Sequence, residues 1–213
     1  MRVQRHLADA GFPCPTPLGG AVTVAGVLGR AESMLPDPGP RRFTASRMAS
    51  SASGLAPMVG LAAGLAPAGL DRHPMALADT KLYPTPHAPL FDFEATATGA
   101  EWIDEIAAAA REGMTDSSLV IAHGDWTARN IRLGATGLVS AYDWESLQLC
   151  PESTALGVAA ATWRALGDPA EPVAPAAPEI VRYIESYEQA RSGALSDDQH
   201  RSARAAAVFT LAY

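Results

Sequence analysis

Residues 119–146 (LVIAHGDWTARNIRLGATGLVSAYDWES) constrain the fold more than any other part of the chain. Within them, two short apolar segments at 131–133 and 138–142 flank the sequence Gly-Ala-Thr-Gly. Turn-forming residues between two short strand-like segments predict a β-hairpin. An apolar segment at 119–122 precedes the hairpin and is predicted to be a further strand.

The predicted hairpin brings two polar residues together. Asn130 precedes its first strand and Asp143 follows its second, so the reversal of the chain returns Asp143 close to Asn130. Neighbouring strands lie about 4.8 Å apart, and one carboxylate and one amide oxygen at that separation can share a cation. Mg²⁺ takes oxygen ligands and usually only one or two carboxylates, together with phosphate oxygens. Asp125 lies in the loop that leads to the same place, and this layout is typical of phosphoryl transfer.

The spacing of these residues resembles a known signature. Protein kinases carry His-Arg-Asp-x-x-x-x-Asn and later Asp-Phe-Gly. This chain has His123-Gly124-Asp125, then Asn130, then Asp143-Trp144-Glu145. The variant is similar to the aminoglycoside phosphotransferase family, whose members share the kinase fold and phosphorylate small molecules. Because Gly124 replaces the kinase Arg, control by a phosphorylated activation loop is not expected.

The resemblance implies a fold, a reaction and roles for the site residues. The fold is α+β and protein-kinase-like, with part of a small N-terminal lobe and a mostly helical C-terminal lobe that carries the catalytic hairpin. The reaction moves the γ-phosphoryl of ATP or GTP to a hydroxyl of a small molecule and depends on Mg²⁺. Asp125 is the implied catalytic base, and Asn130 and Asp143 are the implied metal ligands at the nucleotide. His123 is expected to support the loop by hydrogen bonds.

One departure from the family keeps alternatives open. Residues 1–40 are similar to the second half of a nucleotide-binding lobe, and 41–213 to the helical lobe, but no Gly-rich loop and no strand-borne Lys precede them. Lys81, the only lysine of the sequence, lies in a Pro-rich loop after the 36–40 linker. The chain is then an N-terminal truncation, a product of a misplaced start codon, or a degenerate member that acts as a pseudokinase-like binding module. Because the loop and the Lys are missing, weak nucleotide binding is expected. Exposed strand edges are expected to favour association into a homodimer. A metal-dependent phosphate hydrolase is a third candidate.

Composition excludes several partners. The net charge of −7 disfavours nucleic acid as a partner, because proteins that bind nucleic acid usually present a basic surface. Residues 48–70 are uncharged and long enough to span a bilayer, but they are mostly Ala, Gly and Ser with two prolines, so a buried helix and loop are expected and no membrane. Cys14 and Cys150 are far apart and are expected to be reduced thiols of a cytoplasmic protein.

Other residues near the motif allow two interpretations each. Arg129 and Arg132 either steer phosphate or are solvated, Glu145 either supports the metal or forms a salt bridge, and Lys81 and His87 either touch substrate or lie in a solvated loop. Trp126 is expected to pack. Helices are predicted at 2–10, 41–65, 101–111, 153–166, 179–191 and from 199, and strands at 21–28 and 29–35. Trp102, Ile103, Ile106 and Ala110 are predicted on one side of the helix at 101–111.

Overall fold

The helices and strands follow the order expected of the predicted α+β fold. The computed structural model describes residues 2–36, 43–66, 69–76, 81–85, 98–114, 118–165 and 174–213. The helices of these ranges are α1 (Arg2–Asp9), α2 (Ala45–Ala62), α3 (Glu101–Glu112), α4 (Glu152–Thr162), α5 (Ala177–Ala190) and α6 (Asp197–Ala212). The strands are β1 (Val22–Val24), β2 (Val27–Gly29), β3 (Leu119–His123), β4 (Ile131–Leu133), β5 (Leu138–Ala141) and β6 (Leu147–Pro151). Short 3₁₀ turns cover Pro74–Ala76 and Trp144–Ser146.

The predicted β4–β5 hairpin is confirmed. Its strands pair antiparallel with Ile131 opposite Ala141 and Leu133 opposite Leu138. The amide of Gly134 donates to the carbonyl of Gly137 at 2.8 Å and closes the turn. Gly137 has a φ of +132°, which is open to glycine at no steric cost. The hairpin ends are therefore fixed by local pairing.

A second strand pair encloses this hairpin. β3 and β6 run antiparallel, with His123 opposite Leu147. The chain that connects them must therefore leave and return at the same end of the pair, and this connection contains the loop with Asp125 and the β4–β5 hairpin. Because both ends of the connection are held by one pair of strands, residues that follow β3 lie beside residues that precede β6.

A segment from the long connection after α2 extends this strand pair. Arg72 forms a parallel bridge with Leu149 of β6. The amide of His73 donates to the Leu149 carbonyl at 2.9 Å, and the His73 ring accepts from the Met75 amide at 3.2 Å. Burial lowers the pKa of His73 to about 4, so the imidazole is neutral at pH 7. The sequence assigns no role to His73, and its position here is structural.

The prediction of one strand over 21–28 is wrong, because the chain turns in the middle of that range. Ala25 and Gly26 have φ values of +51° and +80° and connect β1 to β2. Two central residues with positive φ are the requirement of the type I′ hairpin turn. The sequence contains a glycine at the correct position, but an alanine precedes it where Asn or Asp is the usual signal.

The four apolar residues predicted on one side of α3 differ in burial. Trp102 is 59 % exposed and Ile106 is 44 % exposed, whereas Ala107 and Ala110 are buried. The two alanines pack with Tyr83 and Phe209 in a small apolar cluster. Small side chains allow α3 to approach α6 closely, so Ala107 and Ala110 face inward while Trp102 and Ile106 stay exposed.

The remaining helices agree with prediction and differ at their ends. α2 begins at Ala45 because the Thr44 hydroxyl accepts from the Arg47 amide at 3.3 Å and caps it. α4 ends at Thr162, and the expected stop at 167–169 lies outside the described residues. α5 buries the four residues predicted to face the core, namely Ile180, Tyr183, Ile184 and Tyr187. No helix in the described part of the chain is long and apolar enough to cross a membrane.

Close contact between α4 and α6 depends on one glycine. A Cβ on Gly157 would overlap the carbonyl of Ala203 and would lie 2.6 Å from the Ala206 Cβ and 2.8 Å from the Ala207 amide nitrogen. Two of these three neighbours are backbone atoms, which cannot swing aside as a flexible side chain can. The crossing of these helices therefore requires Gly at this position.

Replacing Gly157 by Ala should lower the free energy of unfolding by more than about 2 kcal/mol, because overpacking forces the helix backbones apart. The matched control is Gly60→Ala in α2, where a Cβ would meet nothing within 4 Å. That change should raise stability by about 0.5–1 kcal/mol through helix propensity. Urea unfolding followed by circular dichroism measures both. Equal effects of the two substitutions would contradict the helix packing described here.

Candidate active site

Asp125 lies in the loop directly after β3, with its carboxylate half-buried. Its Oδ2 accepts a hydrogen bond from Asn130 Nδ2 at 2.7 Å and another from Arg129 Nη2 at 2.7 Å. The Arg129 side chain is 65 % exposed and forms the (i, i+4) ion pair with Asp125. The two donors converge on one oxygen, so the carboxylate is fixed in orientation.

Asn130 is buried between the two acidic residues. Its Nδ2 also donates to the backbone carbonyl of Asp125 at 2.9 Å, and it lies 3.5 Å from Asp143 Oδ2. The return of Asp143 to Asn130, which the hairpin predicts, is therefore found. Because the amide nitrogen faces the carboxylates, the Oδ1 atom of Asn130 is the group that remains to coordinate a cation.

Asp143 has an unusual backbone conformation. Its φ and ψ of +62° and +52° place it in the left-handed region. An L-residue adopts this region at a cost of about 1–2 kcal/mol, and Asp is among the residues that adopt it most readily. Its Oδ2 accepts from the Ser146 hydroxyl at 2.7 Å, which orients the exposed carboxylate. Strained backbone of this kind concentrates at functional sites.

His123 joins the loop to the end of the hairpin. One ring nitrogen, Nε2, lies 2.8 Å from the Tyr142 carbonyl, and the other, Nδ1, accepts from the Asp125 amide at 3.2 Å. Since Nδ1 accepts, Nε2 carries the proton and donates to Tyr142. Burial lowers the pKa of His123, although the Tyr142 carbonyl and the nearby carboxylates act in the opposite direction. The imidazole is edge-on to Trp126 and Trp144 and is held as a neutral ring.

Gly124 allows the loop to approach β6. A Cβ at this position would overlap the Gln148 side chain and lie 2.9 Å from the Ser146 carbonyl. The Gly124 amide donates to that same carbonyl at 2.7 Å. A larger residue such as the kinase Arg would push the start of β6 away. Gly124 therefore allows the loop that carries Asp125 to lie against the start of β6.

The structure gives contacts for three of the residues near the motif. Trp126 is buried and donates to the Ser51 carbonyl at 3.0 Å, so it packs. Glu145 forms a salt bridge with Arg30 at 2.7 Å. Arg132 donates to the Arg129 carbonyl at 2.9 Å and lies over the Tyr142 ring.

Of the two residues of the long connection, only Lys81 belongs to the described residues. The Lys81 carbonyl accepts a hydrogen bond from Arg111 of α3, so the only lysine of the sequence lies beside α3. His87 falls outside the described residues.

Sequence reasoning missed two residues of the site, Ser146 and Arg30, and it named Arg129 without its partner. Ser146, which orients Asp143, stands three positions after it, and Arg129 stands at the helical (i, i+4) spacing from Asp125, so both contacts had a local signal. Arg30 had none, because 115 positions separate it from Glu145. Only the folded chain brings that pair together.

The oxygen atoms at the site suit a hard cation. No group of three or more His, Cys, Asp or Glu in the described part of the chain could hold a metal. Mg²⁺ does not require such a group, since one or two carboxylates and phosphate oxygens complete its usual coordination. The Asp143 carboxylate and the Asn130 amide oxygen fit that requirement.

Comparison with known proteins identifies the fold. No protein-family model matches the sequence, and no curated protein matches it. A crystal structure of an aminoglycoside-3′-phosphotransferase of type VIII superposes with a TM-score of 0.51 and 17 % sequence identity. The match covers 98 % of this chain and 78 % of that one. Likeness at this identity shows the fold alone, and it confirms the expected α+β, protein-kinase-like class.

Proposed function

We propose that this chain is a Mg²⁺-dependent phosphotransferase that moves the γ-phosphoryl of ATP or GTP to a hydroxyl group of a small molecule. The observation that carries the proposal is the buried Asn130 amide, which lies 2.7 Å from the Asp125 carboxylate and 3.5 Å from that of Asp143. The fold supports it, since a phosphotransferase has the same architecture.

Asp125 is the proposed catalytic base. Its Oδ2 is held by Asn130 and Arg129, which leaves Oδ1 to accept the proton of the acceptor hydroxyl. A positioned base of this kind contributes about 10²–10⁴-fold to the rate. His123 is the proposed support, because its ring receives the Asp125 amide and donates to the carbonyl before Asp143.

Asn130 and Asp143 are the proposed ligands of Mg²⁺ at the nucleotide. Asn130 would offer Oδ1, since its nitrogen is turned to Asp125, and Asp143 would offer the carboxylate that Ser146 orients. When bound, the cation neutralises charge on the β- and γ-phosphates and helps to align them for in-line transfer. The strained conformation of Asp143 supports its assignment.

A second candidate is a pseudokinase-like binding module. One observation favours it: Oδ2 of Asp125 already accepts hydrogen bonds from both Arg129 and Asn130. The Arg129 guanidinium neutralises the carboxylate charge, which makes Asp125 a weaker base. In such a module, nucleotide and metal would bind without turnover. The two candidates share the same ligands and differ only in whether phosphate is transferred.

The proposal extends to partners and location. The acceptor is a small molecule that carries a hydroxyl, and nucleic acid is not expected for a chain of net charge −7. Cys14 and Cys150 are both buried free thiols, which suits the proposed cytoplasmic location.

Asp125→Asn should lower kcat by about a hundredfold or more while nucleotide binding persists, because the amide cannot accept the proton. The measurement is transfer of label from γ-labelled ATP or GTP to a panel of hydroxyl compounds in the presence of Mg²⁺. Asp9→Asn, the same chemical change on the exposed end of α1, is the control and should leave turnover unchanged.

Two outcomes of that assay would contradict the proposal in different ways. Near-normal turnover in Asp125→Asn would remove this residue from the role of base. Nucleotide binding by the parent chain without transfer to any hydroxyl compound would favour the binding module.

Mg²⁺ with ATP should raise the thermal stability of the parent chain, since a ligand at a hundred times its Kd adds about 2.7 kcal/mol to the folded state. Asp143→Asn keeps a residue that tolerates the left-handed conformation but removes the charge, and it should abolish most of the increase. Asn130→Ala should weaken it. Glu105→Gln, on the exposed side of α3, should not change it. An unaltered increase in Asp143→Asn would place the metal elsewhere.

A further inference from the structure

An open cleft lies between the β1–β2 hairpin and the turn that follows Asp143. Its volume is about 650 Å³, within the range of small-molecule binding sites. The residues that line it combine small or apolar side chains with three charged ones: Ala21, Leu28, Gly29, Arg30, Glu32 and Glu145. Glu145 is two positions from the proposed metal ligand Asp143, so the cleft adjoins the candidate active site along the chain.

Arg30 is the one cation that lines this cleft among the described residues. Its Nε lies 2.9 Å from Glu32 Oε1, and its Nη2 lies 2.7 Å from Glu145 Oε1. A guanidinium has five N–H donors in a fixed plane and binds phosphate oxygens in a bidentate manner. These two contacts engage only part of that set, and other N–H groups can meet a ligand.

A chain of polar contacts holds Arg30 from both sides. Glu32 Oε1 also accepts from Gln4 Nε2 of α1 at 3.0 Å, and the same Gln4 nitrogen donates to the Pro15 carbonyl at 2.9 Å. Gln4 is fully buried, so its position is fixed by the core. The guanidinium is therefore connected to α1 through Glu32 and to the Asp143 turn through Glu145.

We infer that Arg30 binds the phosphate groups of the nucleoside triphosphate in this cleft and exchanges its Glu145 contact for phosphate oxygens when the nucleotide enters. The inference rests on the proposed function, because it concerns the donor of the same reaction. Glu32, which keeps its contact with Arg30, orients the guanidinium, and Glu145 competes with phosphate for it. If the Arg30–Glu145 salt bridge only stabilised the fold of the cleft, loss of either residue would weaken nucleotide binding to the same extent.

The test is a calorimetric titration of Mg·ATP, Mg·tripolyphosphate and adenosine into the 213-residue chain and four variants. Arg30→Gln should weaken binding of Mg·ATP and Mg·tripolyphosphate about tenfold to a hundredfold, the effect of losing a hydrogen bond to a charged group. Its affinity for adenosine, which has no phosphate, should not change. Glu145→Gln removes the competing carboxylate and should leave Mg·ATP binding as tight as in the parent or tighter. Arg182→Gln, on the exposed surface of α5, is the control for loss of one positive charge.

The outcomes separate this inference from the function on which it rests. Parent-like affinity for Mg·ATP in Arg30→Gln, or equal weakening by Arg30→Gln and Glu145→Gln, would overturn the role of Arg30 and leave the phosphotransferase proposal standing. Failure of the parent chain to bind any of the three probes would overturn both. Thermal unfolding of each variant shows whether the fold is retained, and Arg30→Lys, which keeps the charge, should recover part of the lost phosphate affinity.

Discussion

The side-chain amide of Asn130 is the contact on which the candidate site depends. It is buried, and its nitrogen donates to the carbonyl and carboxylate of Asp125 while it also lies 3.5 Å from Asp143. A buried amide without partners costs free energy. These contacts therefore fix the orientation of the side chain, with Nδ2 turned to Asp125. The nitrogen orients the Asp125 carboxylate, the proposed base, and the oxygen is the proposed ligand of a cation. One residue thus sets the geometry of both parts of the proposed chemistry.

The strand pairings make this contact possible. β3 and β6 bind each other, so the connection between them closes at His123 and Leu147. Gly124 lets the two ends approach, because any side chain there would overlap β6. α4 packs against β3 and β6, and Gly157 allows α4 in turn to pack closely on α6. Small residues at these crossings therefore contribute to the geometry of the site.

Contacts between residues close in sequence could be predicted, and contacts between distant residues could not. The β4–β5 hairpin and the meeting of Asn130 with Asp143 follow from turn residues and short spacing, and they were predictable. The turn at Ala25 lacked the usual residue type, and in α3 the small Ala107 and Ala110 are buried beside Phe209 of α6 while the larger Trp102 is exposed. The Arg30–Glu145 pair has no local signal at all, since packing of distant segments creates it.

The most direct test of the account is the position of a bound metal. Crystals grown with Mn²⁺ and a non-hydrolysable ATP analogue should give an anomalous scattering peak about 2.1 Å from both Asn130 Oδ1 and the Asp143 carboxylate, the distance of a hard octahedral cation from its oxygen ligands. The Asp125 carboxylate should face the terminal phosphate and not the metal. A peak that contacts neither Asn130 nor Asp143 would contradict the account.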